Sequence, residues 1–205
     1  MDYTCPITTA TVFKLYSAST GATYGNGAPS VNIESFGIDS NYIYISTNNS
    51  FRRYSLPGVQ WQTTWPGVTG HSVQDFVISG DRIYAVGTNC TRAFLDVINK
   101  YTGAVLQSYV YEDTSGNGAS YTRFERALLT GNRLYVQGRF KYLNGKQRKS
   151  FACININTGE LTDWHTDFPI ITQYTTYSSV TFSSTSPLKL YDGKIWFGAT
   201  KQVLS

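Results

Sequence analysis

The chain has 205 residues, a formal net charge of only +4, 15% charged residues and 15% aromatic residues. This weak positive charge argues against a nucleic-acid-binding surface, and no run of about 18 apolar residues is available to cross a bilayer. Sixteen Tyr and 11 Phe, with many Thr, Val and Ile, favour β-strands, and no stretch keeps the 3.6-residue periodicity of a long helix. The composition therefore predicts an all-β protein.

The N-terminal segment and the cysteines bear on where the protein folds. Residues 1–6 contain neither the basic nor the apolar stretch of a secretory signal, so we expect a virion or extracellular surface assembly, or else the cytoplasm. The three cysteines, Cys5, Cys90 and Cys153, are odd in number and far apart, which predicts no disulfide framework. Cys153 lies in an apolar run and should be a small buried side chain.

A hairpin pattern recurs four times along the chain. Each copy has an apolar strand, a turn of small polar residues and a second strand in which an aromatic residue follows an aliphatic one. Gly, Asn and Asp tolerate the positive φ of tight turns, so this arrangement predicts a β-hairpin. The turns and second strands occupy residues 39–45, 79–87, 130–138 and 191–198, with the aromatic residues Tyr44, Tyr84, Tyr135 and Trp196.

A second pattern, a strand that ends in a Thr-Gly turn, alternates with the hairpins. It occurs at residues 13–21, 95–103 and 151–159, with a degenerate copy at 51–58. A further strand such as 105–110 follows the turn. One hairpin and one strand–turn–strand element together make four antiparallel strands, which is the composition of a β-propeller blade.

The order of the two patterns predicts how the array ends. The chain opens with a Thr-Gly element and closes with a hairpin, so its two ends together make one complete unit. We therefore predict a single domain over 1–205, a propeller of about four four-stranded blades closed by pairing of residues 11–22 with 194–204. A partial ring completed by a second chain, or a segment of a longer array, remains an alternative. The predicted units span residues 24–66, 67–111, 112–168, and 169–205 together with 11–23.

The third unit carries a family resemblance. Residues 133–140, the Asn144-Gly145 turn, and residues 151–164 with their Thr-Gly-Glu-Leu and final Trp resemble the delta-sixty-repeat propeller domains of bacterial and phage proteins. The resemblance covers residues 124–164, and elsewhere the hairpin and Thr-Gly elements alone continue it. It implies a propeller fold, and it says little about activity because such domains are mostly of unassigned function.

A weaker similarity links residues 154–164 to the tryptophan-docking repeats of quinoprotein dehydrogenases. Those enzymes use eight blades and a dedicated site for calcium and a quinone cofactor. Here a single copy keeps the tryptophan, Trp164, and four units could not enclose that cofactor in the same way. We therefore expect no cofactor, and we interpret Trp164 as a packing residue between units.

The histidines do not form a recognisable metal site. His71 and His165 lie in loop-like segments, and a zinc site needs three or four ligands at characteristic spacings. Asp163 and Asp167 flank His165 and could join it on a metal, but a solvated loop explains the same residues. We expect no metal.

Carboxylates are the other candidates for chemistry. Asp39, Asp81 and Asp192 occupy hairpin turns, where Asp is favoured by turn geometry alone. Asp75 and Glu125 precede core residues of predicted inner strands and are better candidates for a central channel. Either could serve a carbohydrate-active enzyme as one of two catalytic carboxylates, or make a structural hydrogen bond, which is the interpretation we favour.

Aromatic residues outside the core pattern suggest a sugar-binding surface. Trp61, Trp65, Tyr174 and Tyr177 lie in predicted loops or outer strands. Aromatic rings on loops often stack on ligands, so these four are the candidate glycan-binding residues. Packing between blades is the competing interpretation.

A basic segment is a second candidate surface. Arg139, Lys141, Lys146, Arg148 and Lys149 lie within 11 residues that hold no acid, and could bind an anionic strand or an acidic polysaccharide. A hairpin with a solvated edge explains the same residues, because lysine on an edge strand blocks unwanted pairing.

Three functions are compatible with these patterns. The favoured hypothesis is a non-catalytic propeller that assembles with other protein subunits, as a phage or virion component or a surface appendage, for assembly or host attachment. A glycan-binding adhesin module and a carbohydrate-active enzyme with channel carboxylates are the alternatives.

Overall fold

A computed structural model describes residues 11–16, 23–31, 33–47, 50–56, 60–62, 65–68, 70–89, 91–113, 122–166 and 188–197. For 11–16, 23–31 and 60–61 it describes the backbone path alone. All regular structure in these segments is β, and every strand pair is antiparallel, so the all-β prediction is confirmed. None of the described residues belongs to a helix that could span a membrane.

The strands follow the two predicted patterns in chain order. They are β1 (Thr11–Tyr16), β2 (Thr23–Val31), β3 (Ile33–Ile38), β4 (Tyr42–Thr47), β5 (Phe51–Ser55), β6 (Gln60–Trp61), β7 (Ser72–Ser79), β8 (Arg82–Thr88), β9 (Ala93–Asn99), β10 (Val105–Tyr111), β11 (Arg123–Thr130), β12 (Arg133–Arg139), β13 (Tyr142–Leu143), β14 (Lys146–Gln147), β15 (Phe151–Asn155), β16 (Lys189–Tyr191) and β17 (Lys194–Trp196).

The strands group into successive meanders, which we call units. The first unit is the sheet β3–β4–β5–β6 and the second is β7–β8–β9–β10. The third is β11–β12–β15, with a single bridge from Ile154 to Leu161 in place of an outer strand. The hairpin β13–β14 is an insertion in the third unit, and the fourth unit is represented by the hairpin β16–β17.

The N-terminal hairpin differs from the predicted boundaries. Strand β2 pairs with β1, so residues 23–31 belong with the N-terminal strand and not with the first unit. Among the described strands, β17 pairs with β16 and β1 with β2, and no pair joins residues 11–16 to residues 194–197. Residues 17–22 and 198–204, the rest of the predicted closing pair, lie outside the described residues.

The hairpin turns have the predicted geometry. Gly80 (φ 60°), Gly131 (φ 57°) and the pair Asp192 and Gly193 (φ 50° and 66°) all adopt positive φ. The first hairpin has no glycine, and there the Asp39 carboxylate accepts hydrogen bonds from two backbone N–H groups of the turn. Local turn chemistry therefore explains all four hairpins.

The hydrophobic core lies between units. Phe76 of the second unit lies 4.8 Å from Phe51 of the first, measured between ring centroids. Ala127 and Leu129 of the third unit pack on the cluster that contains Tyr84 of the second. We call the surface of a unit that faces the preceding unit its backward face, and the surface that faces the following unit its forward face. A sheet of this kind buries both faces only by stacking on its neighbours.

The contact between the third and fourth units follows the same rule. The ring centroids of Phe151 and Phe197 lie 4.6 Å apart, and Leu188 is buried against Phe151. Trp164 joins this cluster and contacts Tyr135 edge to face at 4.9 Å. The prediction that Trp164 packs between units is confirmed.

The two Thr-Gly turns that the structure describes each dock an aromatic side chain of the preceding unit. Trp65 packs over Gly103, and its indole N–H donates to a backbone carbonyl beside that turn. Tyr109 lies against Gly159, whose carbonyl accepts a 2.7 Å hydrogen bond from the Tyr111 hydroxyl. Glycine is required at these turns because the aromatic ring occupies the space of a Cβ.

An alanine at Gly159 tests this docking contact, with Gly145→Ala as the matched control. Both glycines adopt positive φ, which costs alanine about 1–2 kcal/mol. A Cβ on Gly159 would overlap the Tyr109 ring, whereas one on Gly145 meets nothing within 4 Å. Urea denaturation should show an additional loss of about 2 kcal/mol for Gly159→Ala, because the ring must move. Equal losses in the two variants would show that the contact contributes nothing.

Candidate central site

The first strands of the first three units lie side by side and share one irregularity. Strand β7 contacts both β3 and β11. Each has a register shift at the corresponding place, which leaves Glu34, Gln74 and Glu125 as the extra residues of three β-bulges. A bulge re-aims side chains at the edge of a sheet. The inner edge of the array is therefore where the polar side chains of different units meet.

Asp75 joins three units through its carboxylate. Oδ1 accepts hydrogen bonds from the Ser35 hydroxyl (2.8 Å) and from the N–H of Phe76 (3.0 Å). Oδ2 accepts one from the N–H of Ala127 in the third unit (3.0 Å). Burial raises the pKa of Asp75, and these hydrogen bonds, together with the nearby Arg126, oppose that rise. Asp75 thus satisfies backbone donors that inner edge strands would otherwise leave unpaired.

Glu125 is held by two arginines of its own unit. Arg123 reaches Oε1 of Glu125 through Nε at 2.8 Å and through a terminal nitrogen at 2.7 Å, and Arg139 reaches the same oxygen through Nε at 2.9 Å. The Glu125 side chain is 4% exposed, against 27% for Arg123 and 42% for Arg139. The charge of this buried carboxylate is balanced by the two ion pairs, and the carboxylate in turn holds both guanidinium groups in place.

Glu34 adds an acid of the first unit to this group. It is half-buried, and no hydrogen bond or ion pair joins it to another described residue. Burial raises the pKa of Glu34; the nearby charges of Arg123 and Arg126 lower it, and that of Glu125 raises it. These charges act between units, because Glu34 belongs to the first unit and Arg123, Arg126 and Glu125 belong to the third.

The contacts of Asp75 and Glu125 bear on whether these two acids could act as a pair of catalytic carboxylates. A glycosidase needs one carboxylic acid to donate a proton and one carboxylate free to act as base or nucleophile. Asp75 and Glu125, the predicted channel acids, are both occupied by structural hydrogen bonds or ion pairs. The predicted structural role fits both residues, and Glu34, which sequence reasoning missed, is the acid with an open carboxyl group.

The histidines have structural contacts of their own. His71 lies 3.4 Å from the buried carboxylate of Asp96, which also accepts a hydrogen bond from Ser108. The serine contacts the acid and not the imidazole, so the three do not form a nucleophilic triad. His165 contacts the carbonyl of Asp163 through Nδ1 at 2.9 Å. No group of three or more potential metal ligands occurs in the described part of the chain.

The aromatic candidates require one correction. Trp65 is 4% exposed, so it does not offer the ring face that glycan binding requires, and it fits the competing interpretation of packing between units. It lies 5.5 Å from Phe51 and contacts Tyr44, because the segment after β6 folds over the interface between the first and second units. Trp61 lies in β6, where its side chain is not described, and Tyr174 and Tyr177 lie outside the described residues.

The basic candidates do not form one patch. Arg148 is 6% exposed and donates a 2.8 Å hydrogen bond to the carbonyl of Thr162, so the expectation of an exposed Arg148 is wrong. Arg139 points instead toward Glu125. Arg139 and Arg148 thus bind different partners, which a count of charges along the sequence cannot show.

The lysines of this segment follow the predicted hairpin. Asn144 and Gly145 form its turn with φ of 47° and 81°. Lys141 and Lys146 are exposed on either side, and Lys149 is half-buried. The solvated-hairpin interpretation fits these three residues.

Comparisons with known proteins bear on the fold alone. No protein-family model and no curated protein matches the sequence. The crystal structure of the computationally designed Ika4 protein matches with a TM-score of 0.54 at 13% identity, over 84% of this chain and 88% of that chain. The designed Ika8 protein matches with a TM-score of 0.53 at 13% identity, over 91% of this chain and 61% of that chain. BamB from Moraxella catarrhalis aligns with a TM-score of 0.38 at 12% identity, over 76% of this chain and 66% of that chain.

These findings define the class of protein. The chain is an all-β protein built from stacked antiparallel meanders, and it shares its fold with the designed proteins. No family match supports the resemblance to delta-sixty-repeat domains, which stays a prediction.

Substitution of Asp75 tests its role between units. Asp75→Asn replaces one carboxylate oxygen with an NH2 group, which cannot accept a hydrogen bond. The carboxylate accepts from the Ser35 hydroxyl and from two backbone N–H groups, so at least one of these three donors loses its acceptor. We expect a loss of about 2–3 kcal/mol in the free energy of unfolding, measured by urea denaturation. Ser35→Ala removes one donor and leaves the carboxylate in place, so about 1 kcal/mol is expected. A loss for Asp75→Asn no larger than that for Ser35→Ala would contradict the bridging role.

The raised pKa values of Glu34 and Asp75 predict a pH dependence of stability. The carboxyl groups of both residues bind a proton more tightly in the folded state than in the unfolded chain. The free energy of unfolding therefore falls as the pH rises from 4.5, the ordinary pKa of Glu, through the raised pKa of Glu34. Glu34→Gln keeps this position neutral, and its stability relative to the natural protein should increase over the same interval. Thermal unfolding at several pH values measures the difference, with the exposed Glu160→Gln as control. A difference that stays constant with pH would contradict the assignment.

Proposed function

We propose that the chain is a four-bladed β-propeller closed by its own two ends, and that it serves as a non-catalytic structural or binding subunit of a larger protein assembly, such as a phage particle or a surface appendage. The observation that carries this proposal is a pair of unmatched unit faces at the ends of the array.

The first unit has an unmatched backward face. In the second unit the corresponding Phe76 is 8% exposed, because it packs on the first unit. At the same positions of the first unit, Phe36 is 73% exposed and Ile38 is 58% exposed. Large apolar side chains in this arrangement are the backward half of an interface between units.

The fourth unit has the complementary forward half. Trp196 occupies the position of Tyr84, which is 5% exposed and packs toward the third unit. Trp196 itself is 57% exposed. Packing Trp196 on Phe36 and Ile38 would complete a fourth interface of the same kind, and the hairpin β1–β2 has the strand–turn–strand pattern that the fourth unit needs. Ring closure also removes exposed sheet edges.

The central residues support a binding or structural role over hydrolysis. The Asp75 carboxylate accepts a hydrogen bond that joins two units, and the Glu125 carboxylate forms ion pairs with two arginines. The phage or appendage setting rests on the sequence resemblance of residues 124–164.

Ring closure is tested by native mass and by the accessibility of Trp196. Light scattering should give the mass of one chain, since closure uses no second copy. Iodide quenching of tryptophan fluorescence is compared between the natural protein and Trp196→Phe, and the difference reports Trp196 alone. We expect closure to shield Trp196 from iodide. Ile38→Ser should expose it, whereas Val105→Ser, at an exposed apolar position of β10, should not. A one-chain species with a fully quenched Trp196, or a stable dimer, would overturn closure within the chain.

The assembly role is tested by sedimentation of an extract from the native source. The protein should co-sediment with a purified particle or appendage and stay with it through washing. Recovery solely as free single chains in the soluble fraction would overturn this part of the proposal.

A further inference from the structure

The arginines at the inner end of the third unit are not all held in ion pairs. Arg123, Arg126 and Arg139 face one compensated carboxylate, Glu125, and one half-buried acid from the first unit, Glu34. Asp75 of the second unit also lies near Arg126, so three arginines meet three carboxyl groups. Among these described residues the ion pairs all end on Glu125, so Arg123 and Arg139 share one paired carboxylate and Arg126 has no ion pair.

The donors of this group are also incompletely used. All three hydrogen bonds from Arg123 and Arg139 end on the same oxygen of Glu125, Oε1. Arg139 is 42% exposed and engages Glu125 through Nε, and its two terminal nitrogens make no hydrogen bond to another described residue. Arg126 donates to a main-chain carbonyl, that of Glu125, at 2.7 Å. Terminal guanidinium nitrogens are suited to a carboxylate, which accepts two parallel hydrogen bonds.

A buried amide lies on the same face. In the pairing of β11 with β12, Arg123 is opposite Arg139 and Arg126 is opposite Gln137. Residues directly opposite one another project to the same side, and residues two apart on a strand do so as well. Gln137 is 1% exposed, and neither its amide oxygen nor its amide nitrogen has a hydrogen-bond partner in the part of the chain that the structure describes. A buried amide with both atoms unpaired is costly, which indicates that another group completes this site.

We propose that this face of the third unit binds an acidic sugar, whose carboxylate pairs with Arg139 and Arg126 and whose neighbouring hydroxyl exchanges hydrogen bonds with the amide of Gln137. A hydroxyl both donates and accepts, so it satisfies the two unpaired atoms of the amide, which a simple anion without a proton cannot do. Arg123 and Glu125 are positioning residues that hold Arg139 in place. The inference does not depend on ring closure, because the residues that would contact the sugar all belong to the third unit.

Calorimetric titration with the methyl glycoside of galacturonic acid tests the proposal, with methyl galactoside and inorganic phosphate as comparison ligands. The natural protein should bind the uronate saturably, at least about tenfold more tightly than either comparison ligand. Arg139→Gln should weaken binding by at least about tenfold, because a charge-assisted hydrogen bond is lost. Arg82→Gln, at an exposed arginine of the second hairpin, should leave the affinity unchanged.

Gln137→Leu separates binding from folding. It removes two unpaired buried atoms at nearly constant volume, so the thermal midpoint should rise or stay constant while uronate affinity falls at least about fivefold. Absence of saturable uronate binding, equal affinity in Arg139→Gln, or phosphate binding as tight as the uronate would each overturn the assignment. These outcomes are independent of ring closure. A shielded Trp196 without uronate binding overturns this inference alone, and an exposed Trp196 with uronate binding overturns closure alone.

Discussion

A small antiparallel sheet with apolar side chains on both faces cannot bury them by itself, and every other feature of this chain depends on that constraint. The first, second and third units each place aromatic residues on the neighbouring unit, as Phe76 does on Phe51. The Thr-Gly turns add a second contact farther out, where Trp65 and Tyr109 occupy the space that Gly103 and Gly159 leave open. Stability therefore resides in the interfaces, and a single unit has no complete core of its own.

Stacking brings the first strands of the units together at their inner edges, where backbone groups need polar partners. Inner edge strands expose backbone N–H groups, and the Asp75 carboxylate accepts two of them while it also binds Ser35. The β-bulges at Glu34 and Glu125 add further charged residues to the inner edge strands. This polar inner edge is thus a consequence of the apolar stacking, and there Asp75 of the second unit bonds residues of the first and third units.

The same reasoning connects the two proposals. If stacking stabilises every unit, the exposed Phe36 and Trp196 are the halves of one more interface, and closing it would surround the inner edges on all sides. A closed centre would raise the strength of the interactions made by Arg126 and Arg139, because the local dielectric falls as water is excluded. Closure and acidic-sugar binding nevertheless depend on different residues, and for this reason they can be tested separately.

Strands, hairpin turns and their order follow from the sequence alone. The positive φ at Gly80 and Gly131 is a property of two or three neighbouring residues, and the recurrence of the aromatic strand marks each unit. The partners of Asp75 are 40 and 52 residues away, and neither they nor the burial of Trp65 and Arg148 has a local signature. Those features depend on how one unit lies on the next, which sequence periodicity does not encode. The tertiary structure therefore decided which charged residues come together at the inner edge strands, because the stacking of the units sets which strands are neighbours and the β-bulges set which residues lie outside the regular pairing.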